Sequence, residues 1–169
     1  MKYTATWESP IGTLTIASDG EFITGLWMEK QAYFAAGLSD HPLEGTKLPV
    51  IQKCIHWLEC YFQGNAPSLW EIPFRPSGTP FQCSVWDQLS RIPFGETRTY
   101  GQIAAALEAT RGLKASPRAV GNAVGKNPIS ILIPCHRVIG ANGSMTGYAG
   151  GIERKEYLLK LEQRSGTTP

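Results

Sequence analysis

Apolar and polar residues alternate through Thr13-Leu-Thr-Ile-Ala17, and a second apolar-rich run covers Phe22-Ile-Thr-Gly-Leu-Trp-Met28. A period of two puts alternate side chains on one face of a sheet, and the intervening Asp19-Gly20 is a hairpin turn signal. Ser9-Pro10 with Gly12 supplies an earlier turn, so residues 1–29 are expected to form three antiparallel strands. From about Gln31 to Pro49 the pattern dissolves, as in a loop or short helix. The period then changes: Ile51, Cys54, Ile55, Leu58, Tyr61 and Phe62 recur at helical spacing until Gly64-Asn65 stops the run. That helix should pack on the sheet. Leu69 to Phe74 reads as a further short strand, and Pro73, Pro76, Gly78 and Pro80 mark a linker. The expected division is therefore into domains 1–77 and 78–169.

Beyond the linker, Phe81 to Ser90 places Val85, Trp86 and Leu89 on one helical face. Thr99-Tyr-Gly-Gln102 fits a capping box, in which the threonine hydroxyl and the glutamine side chain satisfy exposed amides, and predicts a helix through Leu107 followed by a loop from Glu108 to Ala115. Ser116-Pro117 combines an N-cap with proline at the first helical position, and Asn127-Pro128 ends this second helix. Two short helices joined by a loop suggest a helix-turn-helix. Gly121 and Gly125 each cost about 1 kcal/mol in a helix interior. That cost is consistent either with a backbone that must approach something closely, such as a nucleic acid groove, or with a weak helix held by tertiary packing. Ile129-Ser-Ile-Leu-Ile133 then reads as a short buried strand that delivers Pro134-Cys-His-Arg-Val138. A last helix is expected from about Ile152 to Gln163, with Arg164 to Pro169 as a loose tail.

A length of 169 residues suffices for one domain or two small ones, and 42% hydrophobic content fits a globular chain. No stretch is long and apolar enough to span a membrane, and Met1 to Trp7 lacks the apolar core of a signal peptide, so a cytoplasmic protein with no membrane partner is expected. The cysteines at 54, 60, 83 and 135 include no Cys-x-x-Cys pair. Relative to Cys54, His56 and Cys60 fall at about 200° and 240° on a helix and do not converge on a metal. A core cysteine pair is the better reading there. The charge is uneven: residues 1–80 carry five Lys/Arg against eight Asp/Glu, while 81–169 carry eleven against six. The second half could hold a polyanion.

Cys135 is followed at once by His136 and Arg137. Two cationic or protonatable neighbours favour the nucleophilic thiolate if they point at the sulfur, but adjacent residues need not share a face. From these residues alone, a reactive cysteine and a buried structural one both remain open.

Pro134-Cys-His-Arg-Val138 resembles the active-site motif of the O6-alkylguanine-DNA alkyltransferases. The chain is also similar to that family, in order, at Gly78-Thr-Pro-Phe-Gln82, Val85-Trp86, Ile92-Pro-Phe-Gly95, Tyr100-Gly-Gln-Ile-Ala104, Arg118-Ala-Val-Gly-Asn-Ala123, Asn127-Pro128, Gly147-Tyr-Ala-Gly-Gly151 and Lys155-Glu-Tyr-Leu-Leu159. The resemblance spans residues 78–163. It implies an α+β protein with an N-terminal RNase H-like αβ domain and a C-terminal winged-helix-like domain carrying the helix-turn-helix.

The activity implied is that of a methylated-DNA–[protein]-cysteine S-methyltransferase, which moves the alkyl group of O6-alkylguanine onto Cys135 once, after base flipping, with O4-alkylthymine left open as a second substrate. By the same resemblance His136 activates Cys135 through a bound water, Glu162 orients His136, and Tyr100 donates a proton or hydrogen bond to guanine N3. Arg118 enters the base stack in place of the extruded nucleotide, on a helix that presents Ala119, Gly121, Ala123 and Gly125 to the minor groove of double-stranded DNA. Asn127 is a hinge between that helix and the active-site strand. Val138, Tyr148 and Ala149 form the substrate pocket, with Ala149 standing where many relatives carry serine. No cofactor or metal is implied, and the zinc ligands of some relatives are not evident. A monomer is expected.

Two other classes compete. A lesion-binding module without chemistry would have another residue, often tryptophan, at position 135, and a cysteine hydrolase would turn over repeatedly. At 169 residues, a fused alkylation-sensing regulator is not expected.

Overall fold

Three strands, β1 (Tyr3–Ser9), β2 (Gly12–Ser18) and β3 (Ile23–Met28), form the expected antiparallel meander, with β1 and β2 in register from Tyr3↔Ser18 to Ser9↔Gly12. The computed structural model describes residues 1–38, 40–69, 72–145 and 148–166. A fourth, two-residue strand, β4 (Leu43–Glu44), pairs parallel to β1 and makes the sheet order β3-β2-β1-β4. It lies in the stretch whose pattern dissolves, because both of its residues are exposed and leave no alternation to read. The helix α1 (Pro49–Phe62) lays Ile51, Cys54, Leu58 and Tyr61, each fully buried, into the core with Leu14 and Ile16 of β2. Burying an aliphatic side chain of this size contributes about 1.5–3 kcal/mol, so this face alone commits the helix to the sheet. Cys60 is only half-buried and its sulfur lies 3.8 Å from His56 Nε2, so the expected core cysteine pair reduces to Cys54.

The outer edge of β3 is covered by later parts of the chain. The Ile23 amide donates to the Pro73 carbonyl and the Arg75 amide to the Ile23 carbonyl, both at 2.9 Å. Further along, the Leu26 amide donates to the Pro128 carbonyl at 2.9 Å and the Ser130 amide to the Leu26 carbonyl at 3.0 Å. An open edge would leave these groups unpaired. Of the strand expected over Leu69 to Phe74, only this bridge at Phe74 is seen, and Trp70 and Glu71 lie outside the described residues. One continuous hydrophobic cluster runs from Ala5 to Leu161, so both halves of the chain share a core.

The second half is helical, and its helices begin where side chains can cap them. Helix α2 (Pro80–Ser90) starts at a reciprocal capping box between Thr79 and Gln82, inside the stretch read as linker. Helix α3 (Tyr100–Arg111) starts at the expected Thr99–Gln102 box and runs one turn past Leu107, ending on Gly112 in the left-handed region (φ 65°). The loop is correspondingly shorter than Glu108 to Ala115. The Ser116 hydroxyl accepts from the Ala119 amide to cap α4 (Pro117–Gly125). Trp86 of α2 donates from Nε1 to the Ala123 carbonyl (2.8 Å), which fixes α4 against α2. Two short parallel strands, β5 (Arg98–Thr99) and β6 (Val138–Ile139), flank the helices, and α5 (Ile152–Gly166) closes the chain. Arg164 to Gly166 thus belong to the helix rather than to a tail, and Thr167 to Pro169 lie outside the described residues.

The run Ile129 to Ile133 is not a continuous strand. It makes bridges at Ile129 and between Ser130 and Ile133, and at Ile131 the backbone enters the left-handed region (φ 71°). All five residues are buried, and burial is what an apolar run encodes; it does not distinguish a strand from a folded turn within the core.

Candidate active site

The folded segment 129–133 is held by Asn127. Its Nδ2 donates to the Ile133 carbonyl at 2.8 Å and its Oδ1 accepts from the Ile129 amide at 3.0 Å, so one buried side chain clamps both ends of the turn. The chain then enters a 3-10 turn, Cys135–Arg137, that is buried throughout. Burial pushes the Cys135 thiol above its usual range; hydrogen bonding from Asn127, the Lys155 cation, a backbone contact and Tyr148 act against this. The thiol is therefore protonated at rest and needs a base to become a nucleophile.

His136 is fully buried, with Nε2 2.5 Å from Glu162 Oε2. A carboxylate only accepts, so this contact places the imidazole proton on Nε2 and leaves Nδ1 with its lone pair. Nδ1 is buried and has no hydrogen-bond partner among the described residues. Burial also lowers the basicity of His136 while Glu162 raises it, with a net downward shift that keeps the ring neutral near pH 7.

Glu162, on α5, is the most heavily coordinated group of the site. Oε2 accepts from Tyr61 Oη (2.6 Å) and Arg137 Nη2 (3.2 Å), and Oε1 accepts from Arg137 Nε (2.8 Å) and the Gly95 amide (3.1 Å). Burial would raise its carboxyl, but His136 and then Arg137 outweigh this and hold it at about 2. Arg137 also donates from Nη1 to the Ile92 carbonyl (2.7 Å). Its guanidinium therefore serves the carboxylate and not the sulfur. The cation beside Cys135 is Lys155 of α5, fully buried, donating from Nζ to the Val138 carbonyl and lying 5.9 Å from the Tyr148 ring.

Tyr148, buried, is engaged with the Cys135 thiol, and its hydroxyl lies 3.8 Å from Met28 Sδ of β3. Val138 is fully buried, its carbonyl accepting from Lys155 Nζ, and Ala149 is half-buried with its carbonyl accepting from the Ala32 amide at 3.1 Å. Gly147, quoted among the motif residues, lies outside the described residues. Tyr100 opens α3, half-buried, and a charge on Cys135 reaches it.

From Tyr100 a groove of about 730 Å³ runs along α4, lined by Tyr33, Tyr100, Pro117, Arg118, Gly121, Asn122, Gly125 and Lys126. Of the five α4 residues expected to face a partner, Arg118, Gly121 and Gly125 line it. Ala119 is half-buried at the cap, and Ala123 is turned away, 3% exposed with its carbonyl on Trp86. A Cβ on Gly125 would meet nothing within 4 Å, and one on Gly121 only the Tyr100 ring at 3.7 Å. Packing inside the protein therefore does not demand glycine at either position.

Cys135, His136, Glu162, Asn127, Tyr148 and Tyr100 thus converge, while Tyr61, Arg137, Lys155 and the Gly95 amide join them without having been expected in these places. Tyr61 read as a core residue of an amphipathic helix, and nothing local marks a hydroxyl whose partner is 101 residues away. Lys155 belongs to the Lys155-Glu-Tyr-Leu-Leu159 motif, but a lysine among Tyr157, Leu158 and Leu159 on the last helix looks solvated until the fold buries it.

Family profiles match nearly the whole chain: 6-O-methylguanine DNA methyltransferase, ribonuclease-like domain, over residues 1–76, and 6-O-methylguanine DNA methyltransferase, DNA binding domain, over residues 80–164. The methylated-DNA–protein-cysteine methyltransferase of Haemophilus influenzae is 44% identical over 161 residues, which is 95% of this chain and 86% of that protein. The protein of the same name from Methanosarcina acetivorans is 42% identical over 174 residues, 95% and 97%. Among solved structures, Mycobacterium tuberculosis OGT in complex with DNA superposes with a TM-score of 0.83 at 41% identity, covering 96% of this chain and 94% of that one.

Proposed function

Since the chain belongs to the 6-O-methylguanine DNA methyltransferase family, we propose that it repairs O6-alkylguanine in DNA by moving the alkyl group onto Cys135, one group per protein molecule. The observation that carries this is His136, held in one tautomer by Glu162 with Nδ1 unshared, next in the chain to a buried cysteine. A neutral thiol beside an oriented base is nucleophile, base and orienting group in sequence.

The Cys135 proton passes to His136 Nδ1, through a water where the two side chains do not touch directly. The thiolate, eased by Lys155, Asn127 and Tyr148, attacks the alkyl carbon in line with the C–O6 bond. A carbon–sulfur bond forms, the carbon–oxygen bond breaks, and its electron pair spreads into the purine ring. Tyr100 protonates guanine N3 and is itself restored from the imidazolium, so the proton lost by the thiol ends on the base. Tyr148 walls the pocket, with main-chain groups of Cys135, Val138 and Ala149 against the base edge; alanine at 149 keeps the amide and loses a serine hydroxyl.

The target atom is hidden in a duplex, so the nucleotide must be extruded. A helix whose groove face carries Arg118, Lys126 and two glycines free of internal packing demands suits the minor groove: glycine lets the backbone approach, and the guanidinium can fill the stack and neutralise phosphate. The protein acts as a monomer on double-stranded DNA in the cytoplasm, with O4-alkylthymine as a substrate to be tried beside O6-methylguanine.

Intact-protein mass spectrometry after mixing with DNA containing O6-methylguanine tests the proposal. One methyl group per molecule, mapped to Cys135 and reached at a plateau equal to the active protein, is expected. Repeated turnover with Cys135 unmodified, or methylation at Cys54, Cys60 or Cys83, would overturn it.

A further inference from the structure

The groove along α4 has a second wall that comes from the first half of the chain. Tyr33, 59% exposed, lines it opposite Arg118, Gly121 and Gly125, and the Lys126 ammonium lies 5.8 Å from the centre of its ring. This loop is not a slack connection. Gln31, 6% exposed, accepts from the Met28 amide at 2.6 Å; the Ala32 amide reaches the Ala149 carbonyl; the Ala36 amide turns back on the Tyr33 carbonyl (3.1 Å); and Phe34 packs 6.2 Å from Trp27.

Within it Lys30, Tyr33 and Ala35 all sit in the left-handed region (φ 61°, 58° and 57°), where side chains with a Cβ are disfavoured. A backbone held so firmly in a costly conformation, yet presenting a large aromatic ring to solvent, is directed outward. The two charged residues of the groove lining are both cations, Arg118 and Lys126, so a polyanion is the occupant that fits.

We infer that the loop 30–37 is the second jaw of the DNA clamp, with Tyr33 packing its ring on the sugars and bases of the strand that lies across the groove from α4. This rests on the repair reading above. A tyrosine suits the place: its ring covers apolar sugar and base faces at small entropic cost, and its hydroxyl can meet phosphate or water. The Ala32–Ala149 hydrogen bond sets the height of this jaw relative to the base pocket, so the depth to which DNA seats is referenced to the site where the extruded base must arrive.

The test compares wild-type protein, Tyr33→Ala and Tyr33→Phe in two assays: anisotropy binding to an undamaged duplex at fixed salt, and alkyl transfer from the free base O6-benzylguanine, which needs no clamp. Tyr33→Ala is expected to weaken duplex binding by about tenfold while free-base transfer is unchanged, and Tyr33→Phe to bind as the wild type does. Undiminished duplex binding by Tyr33→Ala, or equal losses in both assays, would overturn the inference, the latter because the loop would then serve the pocket alone. If the wild-type protein took no alkyl group from either O6-benzylguanine or O6-methylguanine DNA, the repair reading itself would fall, and the inference with it.

Discussion

Tyr61 of α1 donates its hydroxyl to Glu162 of α5 at 2.6 Å, joining the sheet-bound helix of the first half to the carboxylate that orients His136. Burial, and after it the Glu162 charge, pushes the Tyr61 phenol well above its usual range, so it is a permanent donor. Its ring is fixed independently, stacked on Trp57 at 5.3 Å and edge-on to Phe94 at 5.9 Å. Tyr61→Phe keeps those contacts but deletes the hydrogen bond to a buried charge and the 3.3 Å contact of the hydroxyl with His136 Nε2. The expected loss is about 2 kcal/mol in urea unfolding. The pH profile of transfer from O6-benzylguanine should also move, since Glu162 then leans on His136 with one competitor fewer; an unmoved profile would leave Tyr61 a purely structural role.

Acid should unfold the protein through the same carboxylate. The Glu162 carboxyl is at about 2 in the folded state against an ordinary value of 4.5, so its contribution is complete above pH 4.5 and is lost as pH falls toward 2. The shift corresponds to about 3 kcal/mol. His136, shifted downward when folded, works in the same direction: it stabilises the neutral-pH protein and the benefit drains away as acid charges the unfolded chain. Glu162→Gln should be less stable at pH 7 and show a flatter fall in stability between pH 4.5 and 2 by chemical denaturation.

Much of this architecture was readable before folding, and the exceptions have physical causes. The meander β1–β3 and the caps at Thr99 and Ser116 are local: a period of two or a side chain three residues from its amide suffices. Thr79 follows the same rule, but the prolines around it masked the signal as a linker, although Pro80 at the first helical position is itself a helix start. The turn at Ile129–Ile133 was hidden because burial, not extension, is what its apolar residues report. Arg137 and Lys155 were legible as charges but not as partners: which cation meets the sulfur and which the carboxylate is decided by α5 folding over the 3-10 turn.

Lys155→Met tests that assignment. It removes the cation beside Cys135 while filling similar space, and so the thiol should rise further. Alkylation of Cys135 by iodoacetamide, followed site by site by mass spectrometry, should need a higher pH than in the wild type. Arg137→Met should instead act through Glu162, lowering stability more than it changes the pH at which Cys135 reacts.

Arg118→Ala should divide the substrates. Arg118 lies on the groove face of α4, and under the proposed function its part is extrusion rather than displacement. Repair of duplex O6-methylguanine should fall roughly tenfold or more as stacking and phosphate contacts are lost, with attack on free O6-benzylguanine preserved. Equal losses on both would place Arg118 in the chemistry instead.

Asn127 is where stability and reactivity meet. It is 4% exposed, spans the turn from the Ile129 amide to the Ile133 carbonyl, and acts on the Cys135 thiol in the direction that favours the thiolate. The turn it closes contains Ile131 at φ 71°, a conformation that a β-branched residue adopts only when its surroundings over-determine it. Asn127→Ala leaves the buried Ile129 amide without a partner, takes from the Ile133 carbonyl one of its two donors, the Cys135 amide remaining, and releases the restraint on Ile131, for an expected loss of about 2 kcal/mol. Asn127→Asp keeps the acceptor for the Ile129 amide but turns a donor into a repelling oxygen beside the Ile133 carbonyl and brings negative charge toward Cys135, so it should push the thiol up where alanine merely stops helping it. The two variants therefore separate the roles. Both should unfold at lower urea, but in the folded protein Cys135 of Asn127→Asp should need a higher pH for iodoacetamide alkylation than that of Asn127→Ala, and coincident pH profiles would confine Asn127 to holding the turn.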